Sequence, residues 1–369
     1  MSTYRVASLP GDGIGPEVVA AARRCVDAAG ARFRFTVAWD EHLVGGAAIE
    51  ALGTPLADES LEACRAADAV LLGAVGGPRW DDPRAEVRPE QALLRLRGEL
   101  GLFANLRPVR ALDVLADASP LRPEVRAGVD LLIVRELTGG LYFGRPQGAT
   151  PDGAVDTCAY TRPEIERVVR LAFQLAAARR GRLTSVDKAN VMATGRLWRA
   201  VAEEVAADFP AVRLEHALVD SFAADLMRRP ARFDVIVTEN LFGDILSDEA
   251  AVIAGSLGLL ASASLGDAEG LAAESATAGR RFGLYEPVHG SAPDIAGLGV
   301  ADPAGAIGAA ALMLRWSLGQ AEAAAALESA VEEVLRSGMC TPDLGGDATT
   351  GAFTDAVLAR LLDAEVVAA

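Results

Sequence analysis

The stretch YRVASLPGDGIGPEVVAAARRCVDAAG, residues 4–30, indicates the fold class, because its pattern predicts a strand, a turn and a helix in succession. Residues 5–9 form a short apolar run that is typical of a β-strand, and GDGIGP at residues 11–16 interrupts it. Pro16 suits the first position of a helix that extends to about residue 29, where a missing N–H costs nothing. This order predicts the start of an α/β fold.

The same alternation continues along the chain and predicts a largely parallel sheet with helices between its strands. Further strands are expected at residues 69–72, 130–134, 183–186, 213–218 and 234–238, and helices at residues 163–180, 303–316, 321–335 and 352–362. Thr161 is placed to cap one of these helices. The glycine-rich segment RELTGGLYFGRPQG, which follows residue 134, predicts a β-hairpin or arm. Residues 267–281 lack periodicity and predict a flexible surface loop.

Length and composition limit what the chain can be. Its 369 residues, 51% of them hydrophobic, suffice for the cores of two domains. A formal charge of −16 disfavours nucleic acid and anionic membranes as partners, and no run of about 18 apolar residues could span a membrane. The start lacks the pattern of a secretory signal, and the four cysteines form no C-x-x-C pair. These features predict a cytoplasmic protein without a structural zinc site.

Three glycine-rich segments could bring their backbone close to a ligand. GDGIGP has the spacing G-x-G-x-G instead of the G-x-G-x-x-G of dinucleotide-binding turns, so a tight strand-to-helix turn is the better interpretation. GAVGGP at residues 73–78 follows a predicted strand. In YEPVHGSAPDIAG, residues 285–297, the Asp294 carboxylate could accept hydrogen bonds from ribose hydroxyls, although an ordinary connecting loop would have the same composition.

Arginines within apolar segments could bind the carboxylates of a substrate, which the acidic protein would otherwise repel. Arg95 and Arg97 lie among leucines on a predicted helix, and Arg107 follows on the next extended segment. Arg135 ends a predicted strand, and α/β sheets bind ligands at the carboxyl ends of their strands. The alternative is that these arginines pair with the surplus acids of the surface.

Two further segments carry groups suited to chemistry. In ENLFGDILSDEA, residues 239–250, Asp244 and Asp248 would lie about 6 Å apart on one helix face, where their oxygens would suit Mg²⁺ or Mn²⁺. In TSVDKANV, residues 184–191, Lys188 follows a predicted strand and could act as a base if its pKa were lowered. A solvated acidic face and a plain surface lysine are the alternatives.

Taken together and in this order, these segments closely resemble the isocitrate and isopropylmalate dehydrogenase family. The resemblance covers residues 4–361 and rests on GDGIGPEV, LLGAVGGP, RPEQALLRLRGELGLFANLRPV, RELTGGLYFG, SVDKANV, TENLFGDILSDEA, GSLGLL and EPVHGSAPDIAG. It implies a two-domain α/β fold with a mixed, largely parallel sheet that is not a Rossmann fold. One domain would comprise residues 1–102 and 255–369, and the other residues 103–254, with an arm at about 137–159 that binds a second subunit.

The RPEQALLRLR helix and the RELTGG segment resemble the isopropylmalate branch of the family more than the isocitrate branch. The resemblance then implies NAD-dependent oxidative decarboxylation of 3-isopropylmalate, a step of leucine biosynthesis, by a homodimer whose active site is shared between subunits. Another 3-substituted malate (methylmalate, benzylmalate or homoisocitrate) is an alternative substrate. A catalytically silent paralogue is the alternative from a different class.

The resemblance also assigns roles to individual residues. Lys188 of the partner subunit would take the hydroxyl proton of the substrate, and Tyr142 would protonate the enolate. The malate carboxylates would bind to Arg97, Arg107 and Arg135, and other substrate contacts would come from Glu90, Leu93, Leu94 and Asp220. The ligands of Mg²⁺ or Mn²⁺ would be Asp220 of the partner subunit, Asp244 and Asp248. NAD would contact Gly76, Gly77, Pro78, Glu90, His289, Gly290, Ser291, Ala292, Pro293, Asp294, Ile295 and Asp302.

NAD is expected to be preferred over NADP, because Asp294 would repel the 2′-phosphate. The nearest cations in sequence that could offset this repulsion are Arg280 and Arg281. Asp302 stands where the family usually has Asn, and it is expected to add negative charge near the adenine. Two further departures from the family pattern are the longer segment 267–281 and the looser sequence VDSFAADL at residues 219–226.

Overall fold

The computed structural model describes residues 2–80, 82, 85–266 and 280–363. The chain forms two compact units, one made of Met1–Leu100 with Ser256–Ala369 and the other of Gly101–Gly255. The chain therefore leaves the first unit once and returns to it. No helix in the described ranges is long and apolar enough to cross a membrane.

The secondary structure alternates as the sequence predicts. The strands are β1 (Ser2–Gly11), β2 (Phe35–Glu41), β3 (Ala69–Ala74), β4 (Ala104–Arg110), β5 (Asp130–Glu136), β6 (Gln147–Thr150), β7 (Gly153–Asp156), β8 (Arg182–Asp187), β9 (Arg213–Leu218), β10 (Val235–Thr238), β11 (Ala261–Leu265) and β12 (Gly283–Pro287). The α-helices are α1 (Gly15–Phe33), α2 (Gly45–Leu52), α3 (Asp58–Ala66), α4 (Glu90–Glu99), α5 (Pro123–Arg126), α6 (Arg162–Ala177), α7 (Ala193–Ala206), α8 (Val219–Arg228), α9 (Asn240–Ala254), α10 (Ala304–Trp316), α11 (Ala321–Arg336) and α12 (Thr350–Asp363). Short 3₁₀ turns lie at Pro78–Trp80, Asp113–Ala118, Gly140–Tyr142, Pro230–Arg232, Leu257–Leu259 and Pro342–Leu344.

The first unit is built on strands in the order β2-β1-β3-β12-β11, of which β11 runs antiparallel to β12 and the others run parallel. Strand β3 is buried along its whole length, as expected of a central parallel strand covered on both faces. Helix α10 is rich in alanine and glycine, and these small residues let it pack closely against α1, α11 and β12.

The GDGIGP segment forms the predicted tight turn between β1 and α1. Gly11 and Gly13 both have positive φ. A Cβ on Gly13 would lie 1.9 Å from the carbonyl oxygen of Ser291, so only glycine fits at this position. The turn therefore packs directly against the loop that follows β12.

The second unit has the strand order β4-β5-β10-β8-β9, in which β4 is antiparallel to β5 and the remaining pairs are parallel. Because β5, β10 and β8 run in the same direction, the residues at their carboxyl ends are brought to one edge of the sheet. Arg135, Glu239 and Lys188 lie at these three ends. Strands β6 and β7 form a separate antiparallel hairpin.

Both units confirm the predicted class of mixed, largely parallel α/β sheets, and the predicted elements are present with their ends shifted by a few residues. Thr161 is the N-cap residue of α6, as predicted, and the Glu164 carboxylate accepts hydrogen bonds from its N–H and hydroxyl. The hairpin of β6 and β7 lies within the predicted arm but later than most of the glycine-rich segment, whose glycines at 139–140 pack against a side chain. Residues 267–279 of the predicted surface loop lie outside the described residues.

Candidate active site

A cluster of charged side chains lies at the carboxyl end of β5 in the second unit. Arg135 is only 2% exposed, and its guanidinium donates two hydrogen bonds, of 3.1 and 2.9 Å, to the side-chain oxygen of Asn240. It donates another to Asp244 Oδ1. A Cβ on Gly243 would lie 2.6 Å from the Arg135 side chain, so a larger residue would displace it. Arg135 is thus fixed between β5 and α9.

Tyr142 shares the Asp244 carboxylate with Arg135. Its hydroxyl donates to Asp244 Oδ2 at 2.8 Å, and its ring centroid lies 5.9 Å from the Arg135 guanidinium carbon. Burial and then the hydrogen bond to this carboxylate raise the pKa of Tyr142 to about 12. The phenol is therefore protonated at neutral pH, as a proton donor must be.

Arg107 and Asp248 form a second pair, one helical turn further along α9. Arg107 is 9% exposed and donates to the Asn105 side-chain oxygen at 2.9 Å and to Asp248 Oδ1 at 3.1 Å. The side chain of Asp248 is 64% exposed. Helix α9 thus carries Asp244 and Asp248 one turn apart, as predicted, and each faces an arginine of the neighbouring strands.

Lys188 directly follows β8 and lies beside Asp220 of α8. The Lys188 amine donates to Asp220 Oδ1 at 2.6 Å, and this hydrogen bond lowers the pKa of Asp220 below its usual range. The side chain of Lys188 is 25% exposed, whereas that of Asp220 is 65% exposed. The pair therefore stands at the surface of this chain with its carboxylate ionised.

One chain does not bring all the predicted metal ligands together. Asp244 and Asp248 lie on α9, but Asp220 lies on α8, where it is hydrogen-bonded to Lys188. Within the described ranges, no three His, Cys, Asp or Glu side chains are grouped so that they could hold a metal ion. Two partly exposed carboxylates fit the oxygen preference of Mg²⁺ or Mn²⁺, and the described residues of one chain place no third carboxylate with them.

In the first unit, α4 carries the residues predicted to meet the substrate's side chain. Ala92 is buried, whereas Glu90 is exposed, Leu93 is half-buried and Leu94 is 38% exposed. An exposed leucine beside a buried face offers apolar surface to a ligand.

Two arginines of α4 have different environments. Arg97 is 7% exposed and donates to Glu286 at 3.3 Å, while its Nε atom is buried without a partner among the described residues. A carboxylate ligand would satisfy that donor. Arg95 instead pairs with Asp58 at 2.5 Å, so surface pairing is the correct interpretation for Arg95.

The GAVGGP loop is organised by Asp12 of the GDGIGP turn. The Asp12 carboxylate is 8% exposed and accepts hydrogen bonds from the backbone N–H groups of Gly46, Ala47 and Gly76, each at 2.8 Å. Gly76 has a φ of 110°, which favours glycine. Pro78 then begins a short 3₁₀ turn. The segment 76–78 therefore offers backbone groups without bulky side chains, which suits contact with a cofactor.

The loop after β12 offers backbone groups and one exposed carboxylate. The Ser291 carbonyl accepts from the Ile14 N–H at 2.8 Å, which ties this loop to the GDGIGP turn. Burial lowers the pKa of His289, so its ring is neutral at pH 7. Asp294 is exposed in the turn that follows.

Arg280 and Arg281 precede β12, whereas the Asp294 loop follows it. The Arg280 guanidinium lies 5.8 Å from the centroid of the Tyr4 ring, and the Arg281 N–H donates to the Trp316 carbonyl. A five-residue strand spans about 16 Å, so both arginines start far from Asp294.

Asp302 requires a correction to the charge expected near the adenine. It is 5% exposed and accepts a hydrogen bond from the Ala304 N–H at the start of α10. Burial, and then the charge of Asp343, raise the pKa of Asp302 to about 8. Asp302 is therefore mostly protonated at pH 7 and adds little negative charge.

Sequence reasoning missed three features of these sites. Asp12 supports the GAVGGP loop, and Asn240 supports Arg135 and the glycine loop before Tyr142. In the sequence, these roles were indicated only by an aspartate between glycines and an asparagine at a predicted helix start. The third feature is compositional. Lys188 is the only lysine of the chain, so the other 34 of the 35 basic residues are arginines.

Comparisons with known proteins agree with this geometry. The family model described as isocitrate/isopropylmalate dehydrogenase matches residues 5–357. The chain is 54% identical over 361 residues to the 3-isopropylmalate dehydrogenase of Anaeromyxobacter dehalogenans (strain 2CP-C), covering 97% of this chain and 99% of that protein.

Two solved structures have the same fold. The isocitrate dehydrogenase of Methylococcus capsulatus is 36% identical with a TM-score of 0.83, covering 97% of this chain and 99% of that one. The β-decarboxylating dehydrogenase of Thermococcus kodakarensis is 39% identical with a TM-score of 0.78, covering 98% and 96%. From the motifs, the geometry and these matches, the chain belongs to the isocitrate/isopropylmalate dehydrogenase family.

Proposed function

We propose that this chain catalyses the NAD-dependent oxidative decarboxylation of 3-isopropylmalate to 2-oxo-4-methylpentanoate. The observation that carries the proposal is the arrangement around Asp244. It combines a buried arginine that can bind a carboxylate, a phenol that stays protonated, and a helix with two carboxylates one turn apart. The relatives named 3-isopropylmalate dehydrogenase, at over 50% identity, support the same substrate.

The single lysine supports a role for Lys188 as the base. Arginine cannot release its proton in a protein, whereas a lysine amine can lose and regain one. In a chain where arginine serves at 34 other basic positions, charge alone gives no reason for a lysine. Lys188 of the partner subunit would accept the proton of the substrate's C2 hydroxyl as hydride passes to NAD.

Both arginines of the cluster are paired with the aspartates assigned to the metal. Arg135 contacts Asp244, and Arg107 contacts Asp248. When the carboxylates of the substrate replace these aspartates at the two guanidinium groups, the aspartates become available to a cation. The buried arginines therefore keep an anionic partner throughout, which limits the desolvation cost of binding.

Asp244 and Asp248, with Asp220 of the partner subunit, would hold Mg²⁺ or Mn²⁺, whose Lewis acidity favours loss of the hydroxyl proton and of the carboxylate. Arg97, Arg107 and Arg135 would bind the two malate carboxylates, and their fork geometry would orient them. After CO₂ has left, Tyr142 would donate its proton to the enolate carbon, and its high pKa keeps that proton available.

The substituent at C3 would contact Leu93 and Leu94, with Glu90 beside them. An isopropyl group would bury the exposed surface of Leu94. The third carboxylate of isocitrate would instead be desolvated against leucines and would lie near the Glu90 carboxylate. Both effects cost free energy, so the pocket favours a small branched apolar group.

Initial rates on a panel of 3-substituted malates test the proposal. We expect kcat/KM for 3-isopropylmalate to exceed that for isocitrate by at least about a hundredfold. A chelator should abolish turnover, and added magnesium or manganese should restore it. Comparable efficiency on both substrates, or full turnover in chelator, would disprove this assignment. No turnover with any member of the panel would favour the silent paralogue.

A further inference from the structure

Tyr160 is a half-buried residue between β7 and α6, and its hydroxyl joins two consecutive residues at the start of α9. It donates to Glu239 Oε2 at 3.0 Å and accepts from the Asn240 N–H at 3.0 Å. The Glu239 carboxylate also accepts from the Phe242 N–H at 2.9 Å and so caps the helix. The Tyr160 ring packs edge-on against Trp198, with centroids 5.9 Å apart.

The same phenol also supports the loop that leads to Tyr142. A Cβ on Gly139 would lie 2.5 Å from the Tyr160 ring, and one on Gly140 would lie 2.4 Å from its hydroxyl. The Asn240 side chain donates to the Gly139 carbonyl at 3.1 Å. The start of α9 and the glycine loop therefore both rest on one side chain.

Each of these two segments carries groups assigned to the reaction. Helix α9 carries Asp244 and Asp248, and the loop carries Tyr142, whose hydroxyl donates to Asp244. We propose that Tyr160 is a positioning residue. It fixes the position of the glycine loop relative to the start of α9, and thereby places Tyr142 against the helix assigned to the metal. This inference rests on the proposed function.

A purely structural tyrosine would give a different pattern of defects. Loss of a buried hydroxyl from a scaffold lowers the melting temperature, and it lowers kcat only through a smaller folded fraction, without changing the Mn²⁺ affinity of the folded enzyme. Loss of a positioning contact changes the metal site and the chemical step while leaving cofactor binding intact, because the cofactor loops belong to the other unit of the chain. Supporting contacts around metal ligands typically contribute 10- to 100-fold in affinity or activity.

The test is Tyr160→Phe in the intact protein, which removes the hydroxyl and keeps the ring. Tyr4→Phe is the matched control, since it removes a hydroxyl that accepts from Gln320 at 2.8 Å in the first unit. The measurements are Mn²⁺ affinity from the paramagnetic resonance signal of free Mn²⁺ without substrate, kcat and KM for the best malate and for NAD, and melting temperature. We expect kcat and Mn²⁺ affinity to fall about tenfold in Tyr160→Phe, with KM for NAD unchanged.

Mn²⁺ affinity and kcat equal to those of Tyr4→Phe would overturn the inference, and so would a loss of kcat that follows the melting temperature while Mn²⁺ affinity is unchanged. A second variant, Glu239→Ala, removes the side chain that accepts from the Tyr160 hydroxyl. In that background Tyr160→Phe should cause a smaller further loss, and full additivity would contradict a shared role. Because Mn²⁺ affinity needs no substrate, failure of 3-isopropylmalate as a substrate would leave this test intact.

Discussion

Hydrogen bonds that involve a carboxylate shift the pKa values of two groups in opposite directions. Tyr142 donates to Asp244, and that bond helps to raise the pKa of the phenol to about 12. Lys188 donates to Asp220, and that bond lowers the pKa of the carboxyl. The Tyr142 phenol therefore keeps a proton that it could give, whereas the Asp220 carboxylate stays ionised beside Lys188.

The role of Lys188 can be separated from its charge. Lys188→Arg keeps a cation beside Asp220 but removes the group that can lose a proton, so we expect kcat to fall at least about a hundredfold. Arg182→Lys, at the other end of β8, is the reverse exchange at an exposed site and should leave kcat unchanged. Steady-state kcat values of the two variants and the wild type test this prediction. More than a tenth of wild-type kcat in Lys188→Arg would show that only charge is needed.

Asp302 should make stability depend on pH. Its pKa is about 4 in the unfolded chain but about 8 when folded, so the native state disfavours the ionised form. Its contribution to the free energy of unfolding is therefore undiminished below pH 4 and is lost as pH rises toward 8. Asp302→Asn stays neutral and should raise the melting temperature by several degrees at pH 9, and by much less at pH 5.

Melting curves of Asp302→Asn at several pH values provide the measurement. The exposed Asp117 serves as control, because Asp117→Asn should show no such dependence. If Asp302→Asn were less stable than wild type at pH 9, the carboxylate would be ionised and favourably bonded, contrary to this account.

Helix α9 contributes both to packing and to the group of residues assigned to the metal site. Its N-cap, Glu239, receives the Tyr160 hydroxyl, and Gly243 admits the Arg135 side chain. Asp244 and Asp248 then follow on the partly exposed side, while Leu246 is buried on the other side. A helix with this sequence can be packed and still present two carboxylates, because the two sets of residues alternate at helical spacing.

We expect the loop after β12 to determine the choice between NAD and NADP. Asp294 is its exposed anion, His289 is neutral, and Arg280 and Arg281 lie before the strand. Nothing positive in the described part of this loop could offset a 2′-phosphate, so we expect kcat/KM for NAD to exceed that for NADP by at least about two orders of magnitude. Asp294→Asn should narrow this preference, with KM for the malate as the internal control. Equal use of both cofactors by the wild-type enzyme would refute the argument.

Each chain carries two separate clusters of the residues that we assign to the active site. Arg135, Tyr142 and Asp244 form one set, and Lys188 with Asp220 forms the other. We propose that a homodimer completes each site with one set from either subunit. Such an arrangement follows from the twofold symmetry of most dimers, in which each subunit gives what it receives.

Subunit mixing tests this arrangement. Lys188→Met and Tyr142→Phe should each slow the enzyme severely as homodimers. In a hybrid dimer of the two variants, one site would hold both intact residues, so about half of the wild-type kcat per dimer should return. Differently tagged subunits allow the hybrid to be purified and assayed. A hybrid as slow as its parents would place both residues in the same site of one chain.

The local sequence was sufficient for much of this molecule. Apolar runs, glycine turns and helical periodicity predicted the elements, because these patterns act over a few residues. The same reasoning predicted that Asp244 and Asp248 lie one turn apart, since helix geometry alone determines that spacing. It also indicated that Arg135 and Lys188 follow strands, and the ordered set of motifs indicated the family.

Tertiary structure alone decided what the side chains contact. Periodicity cannot show that Arg97 has an unsatisfied donor while Arg95 pairs with Asp58, since both lie on the same helix. The sequence predicted a negative charge at Asp302, but burial raises the pKa of this carboxyl to about 8, so it is mostly protonated at pH 7. Nor could periodicity connect Tyr160 to residues about 80 positions away, because that contact exists only once β10 and the start of α6 are adjacent. Hydrogen bonds and desolvation depend on three-dimensional neighbours, which the order of residues along the chain does not specify.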